Sequence, residues 1–174
     1  SLAACSQSNS GEMSGQQGPL VKDLPTDPIN NVDGVPTDSP PQAFGFYANG
    51  RLERAFPIPL DGLGFVKVFR TRDRGYATDL MQWLLIEATA AFKKVYPDSE
   101  RVQVGDISDI NGGKLSLHAS HQNGLDADVA YLRVNRREMS PDGFGGFDEV
   151  FVSGGKVTKN FDIARNYQLF DILV

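Results

Sequence analysis

The sequence predicts one domain that mixes strands with helices, set behind a long polar leader. Three observations predict it. Residues before about Gln42 show no hydrophobic periodicity, whereas the rest of the chain does. Short runs of alternating polarity, two of them joined by Asn49-Gly50, read as strands. One long stretch, from Asp79 to about Val95, repeats its apolar residues at helical spacing. Hydrophobic residues make up 40% of the 174, enough for one globular core. The net charge of -5 offers no basic footprint, which argues against nucleic acid as a partner. No apolar run reaches the ~18–20 residues of a membrane span.

The leader, residues 1–42, comes first. Its Cys5 is the single cysteine, so an internal disulfide is excluded. Leu2-Ala3-Ala4-Cys5 resembles a bacterial lipobox, in which cleavage precedes the cysteine and the thiol carries lipid. That implies a membrane anchor through Cys5, and a sequence that begins partway through its gene product; the plain alternative is a stray cysteine in a flexible tail. Ser6 to Gln42, rich in Ser, Gly, Gln, Pro and Asp, reads as a disordered tether. At about 5–6 Å × √n it would reach roughly 35 Å on average.

The domain then occupies residues 43–174. Asn49-Gly50 is a strong hairpin signal between strands near Phe44–Tyr47 and Leu52–Phe56. "GFVKVFR" sets Phe65, Lys67 and Phe69 against Val66 and Val68, a third strand. Thr78 or Asp79 caps a helix that runs to Val95, with Leu80, Leu84, Ala88, Ala91 and Val95 on one face and Trp83 and Phe92 alongside. Pro97-Asp98 stops it. "RVQVG" is a strand. "DADVAYLRV" is another, with Val129 and Tyr131 on one side and Asp128 and Ala130 on the other. "SPDGFGGFDEV" is a loop and "FVSGG" a short strand or turn. From Phe161 the spacing of Ile163, Tyr167, Phe170 and Val174 predicts a last helix, and Leu173-Val174 follows without a cap.

Between those strands lies "LHASHQNGLDADV". It contains both histidines of the chain, His118 and His121, and two carboxylates, Asp126 and Asp128. On a continuous helix His121 and Asp128 would not share a face. On a loop that enters a strand, with Gly124 between them, they can converge. Zinc takes imidazole nitrogen and carboxylate oxygen at about 2.0–2.2 Å, and a catalytic site keeps one position open. His121 and Asp128 could supply two ligands, leaving His118 and Asp126 to orient them or to meet substrate. The same residues also suit a hydrogen-bonded surface loop without metal. A serine nucleophile at Ser120 beside His121 is a poorer reading, because adjacent residues rarely meet the geometry of a base held against a hydroxyl.

"VGDISDINGGKLSLHASHQNGLDADVAYL" closely resembles the signature of the penicillin-insensitive murein endopeptidases, a group within the LAS-type zinc peptidases. The likeness extends upstream through "GFYANGRL", "PIPLDGLGF" and "FRTRDRGYATDLMQWL", and downstream into "FDIARNYQLFDILV". It implies a small α+β fold of the LAS or hedgehog type, an antiparallel sheet flanked by helices. It implies a Zn²⁺-dependent hydrolase that cuts D-alanyl–diaminopimelate cross-links between peptidoglycan stem peptides, in the periplasm and held to the outer membrane if Cys5 is lipidated. Carried onto this sequence, the zinc ligands fall on His121 and Asp128, His118 becomes an active-site histidine close to the metal, and Asp126 a supporting carboxylate. The family's downstream His-x-His, which brings the third ligand and a catalytic histidine, has no counterpart here, for no histidine follows His121. Residues 43–174 are therefore expected to be the N-terminal part of an incomplete peptidase domain, inactive alone. Two other readings are a non-catalytic cell-wall-binding lipoprotein with a degenerate LAS fold, and a zinc carboxypeptidase or dipeptidase acting on other D-amino-acid peptides.

Overall fold

The structure, a computed structural model, describes residues 40–143 and 147–173. The expectations for Cys5, for the tether before Pro40 and for Val174 lie outside those residues. In chain order the elements are β1 (Gln42–Phe46), β2 (Asn49–Glu53), β3 (Phe56–Pro57), β4 (Phe65–Lys67), β5 (Tyr76–Ala77), α1 (Asp79–Val95), β6 (Val102–Val104), β7 (Val152–Ser153), β8 (Lys156–Val157) and α2 (Ile163–Leu173). The class is α+β: among the described residues, short paired strands with two α-helices. Among the described residues no helix is long and apolar enough to cross a membrane.

β1 and β2 form the expected antiparallel hairpin, but its turn is Tyr47-Ala48, and Asn49-Gly50 belongs to β2. The reason is steric. Gly50 faces Gly45 across the ladder, and a Cβ on Gly50 would lie 2.5 Å from the Phe46 carbonyl oxygen and 2.9 Å from Cβ of Asn123. Glycine is needed there because the histidine segment crosses against the hairpin, not because the chain turns. β3 pairs antiparallel with β5, and β7 with β8 around Gly154-Gly155, both with positive φ as a tight hairpin turn requires.

The core is built on β4 and β6, which run parallel with Phe65 opposite Val102 and Lys67 opposite Val104. Parallel neighbours need a crossover, and α1 supplies it. Thr78 caps α1 as expected, its hydroxyl accepting from the Met81 amide at 3.3 Å. The buried face of α1 differs from the expected one. Gln82, Leu85, Ala88, Thr89 and Phe92 point inward, while Leu80 is 66% exposed and Val95 is exposed too. β4 is likewise buried on both sides rather than on one, since it has α1 on one face and polar side chains of the site region around Lys67. Phe65, Leu85, Phe92, Val102, Val104, Ile107, Leu132 and Leu169 form the main apolar cluster.

The strand expected through "DADVAYLRV" is an extended strap instead. It touches β6 at one bridge, Val104 to Val129, with the Gly105 amide donating to the Asp128 carbonyl at 2.8 Å and the Ala130 amide to the Gln103 carbonyl at 2.9 Å. Beyond Ala130 its backbone bonds both to the backbone of residues 160–162, with the Val134 amide donating to the Asn160 carbonyl at 2.9 Å, and to side chains. Asn166 on α2 accepts from the Leu132 amide at 2.8 Å and donates to the Leu132 carbonyl at 2.9 Å, as a neighbouring strand would. That use of α2 sets which of its faces is buried. Arg165, Asn166 and Leu169 are buried, and Ile163, Tyr167 and Phe170 are exposed.

Candidate metal centre

Residues 115–128 form no helix or strand, so the path of the segment is fixed by bonds to other elements. The Gln122 amide donates to the Tyr47 carbonyl in the hairpin turn at 3.1 Å. The Thr78 amide at the cap of α1 donates to the Gly124 carbonyl at 3.2 Å. The Ser108 hydroxyl donates to the His121 carbonyl at 2.8 Å. Leu117, His121 and Gly124 all take left-handed backbone conformations, with φ of 71°, 65° and 71°. Glycine accepts that readily, whereas histidine does so only where its surroundings hold it. Here both backbone groups of His121 are held: its carbonyl by Ser108, and its amide by Asp126, Oδ2 of which accepts at 3.1 Å.

The side chains converge. His121 is 4% exposed; its Nδ1 lies 3.0 Å from Asp126 Oδ2, and its Nε2 lies 3.2 Å from Asp128 Oδ1. The His118 ring stands edge-on to it with centroids 4.7 Å apart. His118 Nδ1 is 4.0 Å from Asp128 Oδ2. One donor atom from each of His118, His121 and Asp128 lies within 4.8 Å of the others. Asp126 is on the opposite edge of the His121 ring and does not join that cluster. Cys5, the remaining expected site residue, lies outside the described residues.

Burial alone would push the His121 imidazole below its ordinary value. The hydrogen bond and charge of Asp128, with Asp126 adding to them, carry it above instead. Burial raises Asp128, but the bond and charge of His121, and the charges of His118 and Arg72, hold it below the usual carboxylate range. Two groups nearby were not singled out in the sequence. Lys67 is buried, its ammonium donates to the Val68 carbonyl at 2.6 Å, and burial pushes its amine down to about 8 against the opposing pull of Asp106. Asp106 itself is buried, with Arg72, Arg74 and His118 around its Oδ2. The only sequence signal for Asp106 is its place in "VGDISD" directly after an apolar strand, where a polar core residue has no periodicity to reveal it. On the Asp126 side of His121, Phe46, Tyr47 and Leu125 line an open groove together with Ser120, Asn123 and Asp126.

The donors fit zinc. Two imidazole nitrogens and a carboxylate oxygen are borderline ligands that suit it. Two ligands about 2.0–2.1 Å from a tetrahedral ion sit ~3.3 Å apart, and His121 Nε2 and Asp128 Oδ1 are separated by 3.2 Å. A buried histidine with its other nitrogen on a carboxylate is also the usual arrangement behind a metal ligand.

Residues 43–144 match the family described as penicillin-insensitive murein endopeptidase. Relatives carrying that name are 35% identical over 108 residues in Pectobacterium atrosepticum, covering 60% of this chain and 37% of the relative. In Yersinia enterocolitica the figures are 36% over 108 residues, 60% and 38%. In Haemophilus influenzae they are 36% over 115 residues, 65% and 36%. The matched region thus spans under two fifths of the length of these relatives.

Proposed function

Since the chain belongs to the penicillin-insensitive murein endopeptidase family, we propose that it contributes the first half of a zinc centre for hydrolysing D-alanyl–diaminopimelate cross-links between peptidoglycan stem peptides. The observation that carries this reading is the 3.2 Å approach of His121 Nε2 to Asp128 Oδ1, two side chains seven positions apart that the loop brings together. His121 and Asp128 would hold the ion. Asp126, on His121 Nδ1, keeps that ring turned so that Nε2 faces the centre. Zinc in such a site acts as a Lewis acid towards a carbonyl and lowers the pKa of water. His118 stands next to the centre to hold or pass a proton at Nδ1. The groove along Phe46 and Tyr47 opens directly beside Asp126 and gives a peptide somewhere to lie. Peptidoglycan places the protein outside the cytoplasm, and lipid on Cys5 would tether it to the outer membrane. A second reading has its own observation: His118 lies within the same 4.8 Å cluster and would serve as a third ligand.

The test is zinc titration of metal-free protein by calorimetry. Asp128→Ala and His121→Ala are expected to abolish binding, and Asp126→Ala to weaken it less. Equal losses in Asp126→Ala and Asp128→Ala would overturn the division of roles. A loss in His118→Ala as complete as in His121→Ala selects the second reading. No histidine follows His121 in these 174 residues, so the chain alone is expected to bind zinc weakly and to leave cross-linked muropeptide dimers intact. With a downstream His-x-His present, dimers should be cut, EDTA should stop it, and zinc should restore it. Tight zinc binding without cleavage in that longer protein would favour the non-catalytic cell-wall binder.

A further inference from the structure

Asp106 has no part in the reading above, yet its side chain is 0% exposed and lies against the centre. Its Oδ2 accepts from Arg72 Nη1 at 3.0 Å and Arg74 Nη1 at 3.3 Å, and lies 3.2 Å from His118 Nε2. Arg74 also donates to the Ser116 carbonyl at 3.2 Å and to the Ser116 hydroxyl at 2.6 Å. The same guanidinium therefore fixes the carboxylate and the backbone two residues before His118. The backbone of Asp106 is bound into the centre as well, its carbonyl accepting from the Asp128 amide at 3.0 Å. A buried carboxylate persists only when it is paired and hydrogen-bonded. Here the pairing brings together the loop after β4, the end of β6 and the histidine segment.

The chemistry of these groups fixes a proton. A carboxylate only accepts, and guanidiniums only donate. In neutral His118 the proton must then sit on Nε2, facing Asp106. Nδ1 keeps its lone pair, and Nδ1 is the atom on the Asp128 side, 4.0 Å from Oδ2. His121 differs, because carboxylates flank both its nitrogens, Asp126 Oδ2 3.0 Å from Nδ1 and Asp128 Oδ1 3.2 Å from Nε2.

We propose that Asp106 is a positioning residue that holds His118 in its Nε2–H tautomer, so that a bare Nδ1 faces the space beside Asp128. What the lone pair serves rests on the zinc reading above; the tautomer does not. Arg72, Arg74 and His118 all meet the same oxygen, Oδ2, so an amide oxygen in that place would still hold Nε2–H, and the informative change is Asp106→Ala, which removes the acceptor. The carboxylate then left beside the ring is Asp128, on the Nδ1 side, and the proton is free to move to Nδ1 and occupy the lone pair that faces the centre. A change of tautomer of this kind disables a histidine without moving it.

The chain has two histidines, so ¹⁵N-histidine labelling gives two ring systems. Long-range ¹H–¹⁵N correlation on metal-free protein at about pH 8, above the ordinary imidazole range, reads each tautomer, with His121→Gln assigning the peaks. Nε2–H for His118 in the unmodified chain is expected, and a gain of Nδ1–H in Asp106→Ala. Zinc affinity in Asp106→Ala should fall by about 10–100-fold. Nδ1–H in the unmodified chain overturns the proposal whether or not the variant folds. So does a folded Asp106→Ala with His118 still wholly Nε2–H, or one with the tautomer changed and zinc affinity intact. Nε2–H in a chain that binds no zinc refutes the metal reading and upholds the positioning of His118 by Asp106.

Discussion

Replacing Arg165 by methionine tests how α2 is held to the rest of the domain. Arg165 is 2% exposed on the inner face of α2. Its Nε donates to Asp162 Oδ2 at 2.9 Å, its Nη1 to the Ser99 hydroxyl and to Glu100 Oε2, both at 2.5 Å, and its Nη2 to the Arg133 carbonyl. Glu100 is equally buried, and its Oε1 accepts from the Arg133 amide at 2.7 Å. Methionine fills most of the volume but leaves Glu100 as an uncompensated buried charge. Breaking such a pair from one side costs about 3–5 kcal/mol, a large share of the ~5–15 kcal/mol that holds a typical domain folded. Urea unfolding followed by fluorescence of Trp83, the single tryptophan, should therefore show a markedly lower midpoint. Adding Glu100→Gln should recover part of the loss, because the orphaned charge is gone. The exposed pair Arg51–Glu53 is the control, and Arg51→Ala should change stability by under ~1 kcal/mol. A loss within ~1 kcal/mol for Arg165→Met, at unchanged urea dependence, would refute the claim that this guanidinium is both buried and required.

Two further outcomes follow from the geometry. The amine of Lys67 falls from its ordinary 10.5 to about 8, chiefly through burial. Between those values the unfolded chain binds more protons than the folded one, so stability should rise with pH through that window, by up to about 3 kcal/mol. The slope should vanish in Lys67→Met; a variant with the same slope would show that other groups cause it. Gly124→Ala and Gly113→Ala separate two effects, because both positions have positive φ, of 71° and 79°. A Cβ at Gly124 would meet Leu52 Cδ2 at 2.8 Å and Cα of Ala77 at 3.2 Å, whereas at Gly113 it would meet nothing within 4 Å. Gly113→Ala should cost only the left-handed strain of about 1–2 kcal/mol, and Gly124→Ala a further ~1–3 kcal/mol of overpacking. Equal losses in chemical unfolding would mean that the close approach around Gly124 relaxes freely.

The sequence reveals where elements lie better than which way they face. The bounds of α1 follow from a Thr78 cap and a proline after Tyr96, both local signals. Its buried face does not, because Gln82 turns inward to donate to the Phe56 carbonyl at 2.7 Å, an irregular partner that no periodicity encodes. The same is true of α2. The strap from Asp128 to Val134 forms no full ladder, so its buried carbonyls and amides need further partners. Asn166 and Arg165 provide some of them beside the backbone of Asn160 and Asp162, and Ile163, Tyr167 and Phe170 are turned outward. Asp106 was hidden for a related reason. Its partners Arg72 and Arg74 are more than thirty positions away, and a carboxylate that a fold buries looks in sequence like any other. By contrast His121 and Asp128 were legible as a pair, since seven positions with a glycine between them allow a loop to close on itself.

The centre nevertheless depends on distant parts of the chain. His121 has no regular element under it. Its carbonyl is fixed from the end of β6 through Ser108, its neighbour Gln122 from the hairpin turn through Tyr47, and Gly124 from the cap of α1 through Thr78. Gln122 adds a second tie to the hairpin, its Oε1 accepting from the Gly50 amide at 3.4 Å. Each tie satisfies a backbone group that would otherwise be left to water, and together they come from three separate parts of the fold. A strained φ at His121 survives under such conditions because no single rotation can relieve it without breaking several bonds. The position of the imidazole is thus set by the hairpin, the first helix and the central strand together. That is the kind of rigid support a 3 Å contact between a histidine and an aspartate requires if it is to persist before any ion arrives.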